Sequence, residues 1–310
     1  MWQTLPDSQC ELGESPFWHP HEASLYWLDI PGREVLRTRG PIDDPTIERW
    51  RLPQEPGCIA PARRGGFVIA LRDGIYRART WGGELVLLVR AAHDVATMRF
   101  NDGKCDAQGR LWVGTIQEPR DHAIAALFCL DARPGRSSNA QLALARMAEG
   151  ATIANGLAFS VDGRRVLWAD TPAHVVRAFD WLSERNILSG ARVFAQFAMK
   201  PVDWSQDNRA SYAGRPDGAT LDAEGHYWCA MVEGAQLLRL SPSGTPSDSL
   251  PLPVMAPTMP CFGGDDLRTL FVTTARHGRP SEEIAQRPQS GQVIYRRVPF
   301  AGRTVDFFED

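Results

Sequence analysis

Four oxygen-bearing side chains stand at comparable points along the chain. Glu14, Asn101, Asn155 and Asp217 each precede, by a similar short interval, a run of β-forming residues with an aromatic at its centre. Two carboxylates and two amides suit a hard or borderline divalent cation. Ca²⁺ and Mg²⁺ prefer such oxygen ligands. Mn²⁺ also fits, and Zn²⁺ and Fe²⁺ stay open. No histidine shares the register, which disfavours a His-rich zinc site. Asn and Asp also populate ordinary turns, so a single one carries little meaning. Their common phase is what marks them as a set.

That phase comes from a repeat. The runs Leu25-Tyr26-Trp27-Leu28, Gly66-Phe67-Val68-Ile69-Ala70, Leu111-Trp112-Val113-Gly114, Val166-Leu167-Trp168-Ala169, Tyr227-Trp228-Cys229-Ala230 and Leu270-Phe271-Val272-Thr273 recur through the chain. Their spacing is about 40–60 residues, the scale of propeller blades with two insertions. Turns rich in small and charged residues precede most of them, as in Asp106-Ala107-Gln108-Gly109 and Asp222-Ala223-Glu224-Gly225. Such turns close β-hairpins, because glycine supplies positive φ. Further short strands follow, such as Gly74-Ile75-Tyr76-Arg77 and Gln236-Leu237-Leu238-Arg239.

The expected architecture is therefore all-β: a six-bladed β-propeller with antiparallel four-stranded blades, in a single domain spanning residues 1–310. The length of 310 residues would otherwise suggest two domains. The 27 Gly and 23 Pro fit a turn-rich chain with few long helices. The strand ahead of each aromatic run should line the central channel, so Glu14, Asn101, Asn155 and Asp217 should converge on its axis. In the other two repeats the equivalent positions are Ile59-Ala60 and Phe262-Gly263. Residues 131–150 read as a long link in blade three, and residues 199–216 as a loop over one mouth. Trp18, Trp27, Trp112, Trp168 and Trp228 should fill the space between blades. Trp204, inside the loop, is placed to contact a substrate.

Composition excludes several functions. Hydrophobic residues make up 43% and charged residues 23%, with a formal charge of −3. No basic patch marks a nucleic-acid binder. No apolar stretch approaches a membrane span, and the N-terminus lacks a signal-peptide pattern. The expected compartment is the cytoplasm. Cys10, Cys58, Cys105, Cys129, Cys229 and Cys261 show no C-x-x-C spacing and read as small buried hydrophobes. The seven histidines have no triad-like setting. There is no G-x-S-x-G elbow.

Five motifs occur in order: Leu12-Gly13-Glu14-Ser15-Pro16-Phe17-Trp18, Arg99-Phe100-Asn101-Asp102-Gly103-Lys104, Asn155-Gly156-Leu157-Ala158-Phe159-Ser160, Arg215-Pro216-Asp217-Gly218 and Cys261-Phe262-Gly263-Gly264. Together they resemble the gluconolactonase family that includes regucalcin (senescence marker protein). The tail Thr273-Thr274-Ala275-Arg276-His277-Gly278, followed by Glu283-Ile284-Ala285-Gln286, is similar to the bacterial sugar-lactonase branch.

The resemblance implies one divalent cation (Ca²⁺, Zn²⁺, Mn²⁺, Mg²⁺ or Fe²⁺) held by Glu14, Asn155 and Asp217. It implies substrate contacts from Arg99 and Asn101, with Glu118 assisting. The implied reaction is hydrolysis of an aldono-1,4- or 1,5-lactone to the aldonic acid. Hydrolysis also needs a base for the attacking water, and Asp217, at or beside the cation, is expected to take that proton. The near-neutral charge agrees with a small neutral sugar lactone as partner. A monomer or weak homo-oligomer is expected. Hydrolysis of other esters or organophosphates on the same metal, or a non-catalytic calcium-binding propeller, are the alternatives. An arginine beside the cation argues against the last.

Overall fold

Every aromatic run forms the second strand of a sheet. In the computed structural model, residues 1–134, 142–205 and 211–310 are described. They build six four-stranded antiparallel sheets. The innermost strands are Gly13–His19, Pro56–Pro61, Met98–Cys105, Ala154–Phe159, Arg215–Leu221 and Pro257–Gly263. Each packs against the inner strand of the next blade, and the sixth packs against the first. The six-bladed propeller expected from the repeat is therefore the fold.

Two chain ends make the last blade. Gln3–Thr4 pairs antiparallel with Ile294–Arg297, through Gln3↔Tyr295 and Thr4↔Ile294. This closure covers an edge that would otherwise recruit other chains.

Burial falls from the axis outward. Gly13–His19 and Pro257–Gly263 are buried along their whole length, because blades flank both faces of an inner strand. The outermost strand Pro246–Pro251 is mostly exposed and polar. Trp27, Trp112, Trp168 and Trp228 are among the largest fully buried side chains. Trp112 meets Phe159 of the next blade edge-on, with ring centroids 5.5 Å apart. Acidic turn residues anchor two of these indoles. Trp112 Nε1 donates to Asp106 Oδ2 at 2.8 Å and Trp228 Nε1 to Asp222 Oδ2 at 3.0 Å.

Some sequence expectations shift. Of the proposed link 131–150, Leu144–Ala151 is the outer strand of blade three; residues 135–141 lie outside the described residues. The loop expected at 199–216 ends where the strand Arg215–Leu221 begins, and residues 206–210 lie outside the described residues. Its described part ties to the fold through Lys200 Nζ, which donates to Glu233 Oε1 at 2.8 Å. Trp204 packs against Tyr212, with centroids 6.0 Å apart, and beneath the Lys200 ammonium.

The C-terminal tail closes one end of the channel. Phe308 is fully buried, and its N–H donates to Pro61 O at 2.8 Å. Arg303, Thr304, Val305 and Asp306 cap a cavity of about 100 Å³ lined by Lys104, Cys105 and Cys261. Burial pushes all three groups toward their neutral forms. No described helix is long and apolar enough to cross a membrane.

Candidate active site

The site residues stand on irregularities in the inner strands. Pairing with the second strand skips between Glu14 and Phe17, Phe100 and Gly103, Asn155 and Ala158, and Pro216 and Ala219. Each skip is a β-bulge, which bends a strand and redirects its side chains. Glu14 and Asn155 are the last paired residues before their bulges. Asn101 and Asp217 are the first residues inside theirs. Blades two and six bulge at Gly57 and Thr258. Those residues, rather than Ile59-Ala60 and Phe262-Gly263, are the true equivalents. The sequence phase missed this because a bulge inserts a residue without altering the hydrophobic pattern around it.

Local chemistry explains the bulges. Ser15 and Gly156, the first bulge residues of blades one and four, have φ of 51° and 58°. At Gly156 a Cβ would lie 2.2 Å from Tyr227 Oη, so only glycine fits. That hydroxyl donates to Gly156 O at 2.7 Å. Asp102 Oδ2 accepts from Leu157 N at 2.9 Å, which joins the bulge of blade three to that of blade four.

The bulges open into a cavity of about 370 Å³ at the end of the channel away from the C-terminal plug. It gathers Glu14, Arg99, Asn101, Asn155 and Asp217. A directed chain of hydrogen bonds runs through three of them. Arg99 Nη1 donates to Asn101 Oδ1 at 2.9 Å. Asn101 Nδ2 donates to Asn155 Oδ1 at 2.8 Å and to Ala154 O at 2.9 Å. Asn155 Nδ2 donates to Thr171 Oγ1 at 2.8 Å. Arginine can only donate, so it orients both amides.

Glu118 does not line this cavity. Its two oxygens accept from Arg72 Nη1 and Nη2 at 2.9 Å each, and its Oε1 lies 3.8 Å from Arg99 Nε. Its position suits holding Arg99 rather than touching a ligand. Trp204 does not line the cavity either.

Burial raises the pKa of Glu14 well above the usual carboxylate range, with the Asp217 and Asp102 charges adding to it. Burial, then Asp102, pushes Asp217 up to about 7, against the opposing pull of Arg215. Carboxylates crowded in a low-dielectric site resist ionising together. A cation bound between two such acids would favour their ionised forms. The donor set fits one: two carboxylates, plus an amide oxygen oriented by Asn101, supply hard oxygen ligands. A second acidic cluster, Asp222, Glu224 and His226, is already filled. Arg239 donates to Asp222 Oδ2 at 2.9 Å and to Glu224 Oε2 at 2.7 Å, and its Nη2 lies 3.0 Å from His226 Nδ1.

Sequence reasoning missed other lining residues: Arg120, Thr171, Arg215 and His277. Arg215 was within reach. It lies two residues before Asp217 on one strand, hence on the same face, as Arg99 does before Asn101. Arg120 follows Pro119 in a turn with no repeat to flag it.

A six-bladed ring with carboxylates and amides gathered in one cavity at a mouth of its channel defines a β-propeller with a polar axial site. The chain belongs to the SMP-30/Gluconolactonase/LRE-like family, whose model matches residues 12–276. It is 40% identical over 293 residues to the 6-deoxy-6-sulfogluconolactonase of Pseudomonas putida, covering 94% of this chain and 92% of that one. It is 32% identical over 285 residues to regucalcin of Danio rerio, covering 91% and 88%. Among solved structures, a calcium-binding regucalcin from Agrobacterium tumefaciens superposes with a TM-score of 0.86 at 24% identity, covering 100% of this chain and 98% of that one. A Xanthomonas campestris gluconolactonase gives 0.72 at 23% identity, covering 96% and 89%. These last two share the fold.

Proposed function

We propose that the protein is a divalent-metal-dependent lactonase that opens an aldono-1,4- or 1,5-lactone to the aldonic acid. The carrying observation is the convergence of Glu14, Asn155 and Asp217 with the Arg99–Asn101 pair in one cavity. The lactone-hydrolysing relative, which matches nearly the whole chain, supports the same reaction type.

Glu14, Asn155 and Asp217 would hold the cation. When bound, it supplies Lewis-acid polarisation of the carbonyl and stabilises the developing oxyanion. Asp217 accepts the proton of the attacking water as the new C–O bond forms. The ring C–O bond then breaks, and the proton passes to the departing ring oxygen, leaving a hydroxy acid. Arg99 and Asn101 bind ring hydroxyls through donors already oriented by the chain above. A cavity of about 370 Å³ lined by three arginines beside the ion site is more than a structural ion needs, which disfavours the non-catalytic reading. All six thiols are free and buried, consistent with a cytoplasmic enzyme.

An indicator assay over a panel of γ- and δ-aldonolactones tests this reading. Acid release should stop on chelation and return with one added metal. Hydrolysis of simple aryl esters or organophosphates, with no lactone turned over, would replace it.

A further inference from the structure

We propose that the lactone carries an anionic group, a sulfonate, phosphate or carboxylate, at the end remote from its carbonyl, and that Arg120 receives it. This rests on the lactonase reading and specifies its substrate class. Local charge at the cavity, which the chain's net charge of −3 conceals, favours such a group.

Three guanidinium groups line the cavity: Arg99, Arg120 and Arg215. Two have carboxylate neighbours. Arg99 lies 3.8 Å from Glu118, and Arg215 Nη1 lies 2.9 Å from Glu233 Oε2. Glu233 also serves Lys200 and Arg279, at 2.8 and 3.3 Å. Arg120 makes no ion pair among the described residues and acts on Asp217 and Glu118 only at longer range. Within the cavity, Glu14 and Asp217 are the carboxylates, and a bound dication would neutralise them. The remaining balance at the mouth is positive.

Depth places the anion. Glu14, Asn101 and Asn155 are buried at the floor, whereas Arg120 and His277 are exposed at the rim. A lactone with its carbonyl at the floor presents its far carbon to Arg120. The arginine is held there by a turn after Pro119. Its N–H donates to Gln117 O at 3.1 Å, with a left-handed φ of 61°. A non-glycine residue in that region is strained and needs its surroundings to hold it. A neutral sugar would leave this cation unused.

The test compares kcat/KM of the metal-loaded enzyme on glucono-1,5-lactone and on its 6-phospho, 6-deoxy-6-sulfo and 6-carboxylate counterparts. At least one anionic lactone should exceed the neutral one by about ten- to hundredfold, the range of a hydrogen bond to a charged group. The phospho, sulfo and carboxylate arms show which anion is preferred. The excess should shrink with added salt. Arg120→Gln should collapse the anionic-to-neutral ratio, chiefly through KM, and Arg120→Lys should restore part of it. Arg146→Gln, on the outer strand of blade three, should leave the ratio unchanged. Equal rates on neutral and anionic lactones would overturn the proposal. So would an Arg120→Gln variant that loses both activities in proportion. Absence of turnover on every lactone would instead overturn the lactonase reading beneath it.

Discussion

Asn101 and Asn155, carried by neighbouring blades, meet amide to amide, with Asn101 Nδ2 donating to Asn155 Oδ1 at 2.8 Å. The contact sets which atom of Asn155 is its acceptor. It joins a residue expected to bind substrate to one expected to hold the cation, so the two halves of the site are one hydrogen-bonded unit.

Replacing Asn101 with leucine should therefore do more than remove a substrate contact. Asn155 Oδ1 and Ala154 O would lose their donor in a buried place. An unsatisfied buried group costs about 1–3 kcal/mol. Urea unfolding of the metal-free variant should show a loss of that order. Unchanged stability would mean that water takes over both bonds.

The crowded acids give the metal-free protein a pH signature. Asp217 titrates near 7 when folded, against an ordinary 3.8. The folded state therefore binds the extra proton between those values, and stability should fall as pH rises from about 4 to about 7. Asp217→Asn removes the charge and should flatten the decline, leaving the chelated variant more stable than the chelated wild type above pH 7. A divalent cation should reverse the decline in wild type alone. Identical pH–stability curves for the two chelated proteins would refute this account of the site.

Asp106 tests the frame rather than the chemistry. Its Oδ2 accepts from Trp112 Nε1 at 2.8 Å and from Arg110 Nε at 2.6 Å, and its Oδ1 from Gln108 N at 2.9 Å. Asp106 and Arg110 are both fully buried. Asp106→Ala leaves a buried guanidinium without its partner and should cost about 3–5 kcal/mol. Denaturant titration checks the size. Whatever protein remains folded should keep its KM.

The blade count and inner strands were legible because propeller repeats place an aromatic run at a near-constant interval. The four axial residues Glu14, Asn101, Asn155 and Asp217 were legible for the same reason. Arg120 was not, since it stands in a turn outside the repeat. Nor was the split between Glu14 and Asn155, before their bulges, and Asn101 and Asp217, within theirs. A bulge is set by backbone contacts such as that of Gly156 with the Tyr227 hydroxyl, and these join segments distant in sequence. Glu118 came from the family resemblance alone, and its bidentate partner Arg72, in another blade, has no signal in the sequence.

The most direct measurement is lactone hydrolysis by chelated protein before and after one equivalent of a divalent cation, on wild type and Asp217→Asn. Wild type should be inactive when chelated and regain turnover with the ion. The variant should stay folded and inactive throughout. Turnover that survives chelation, or near-wild-type activity in Asp217→Asn, would contradict a cation held by Glu14, Asn155 and Asp217 as the centre of this enzyme.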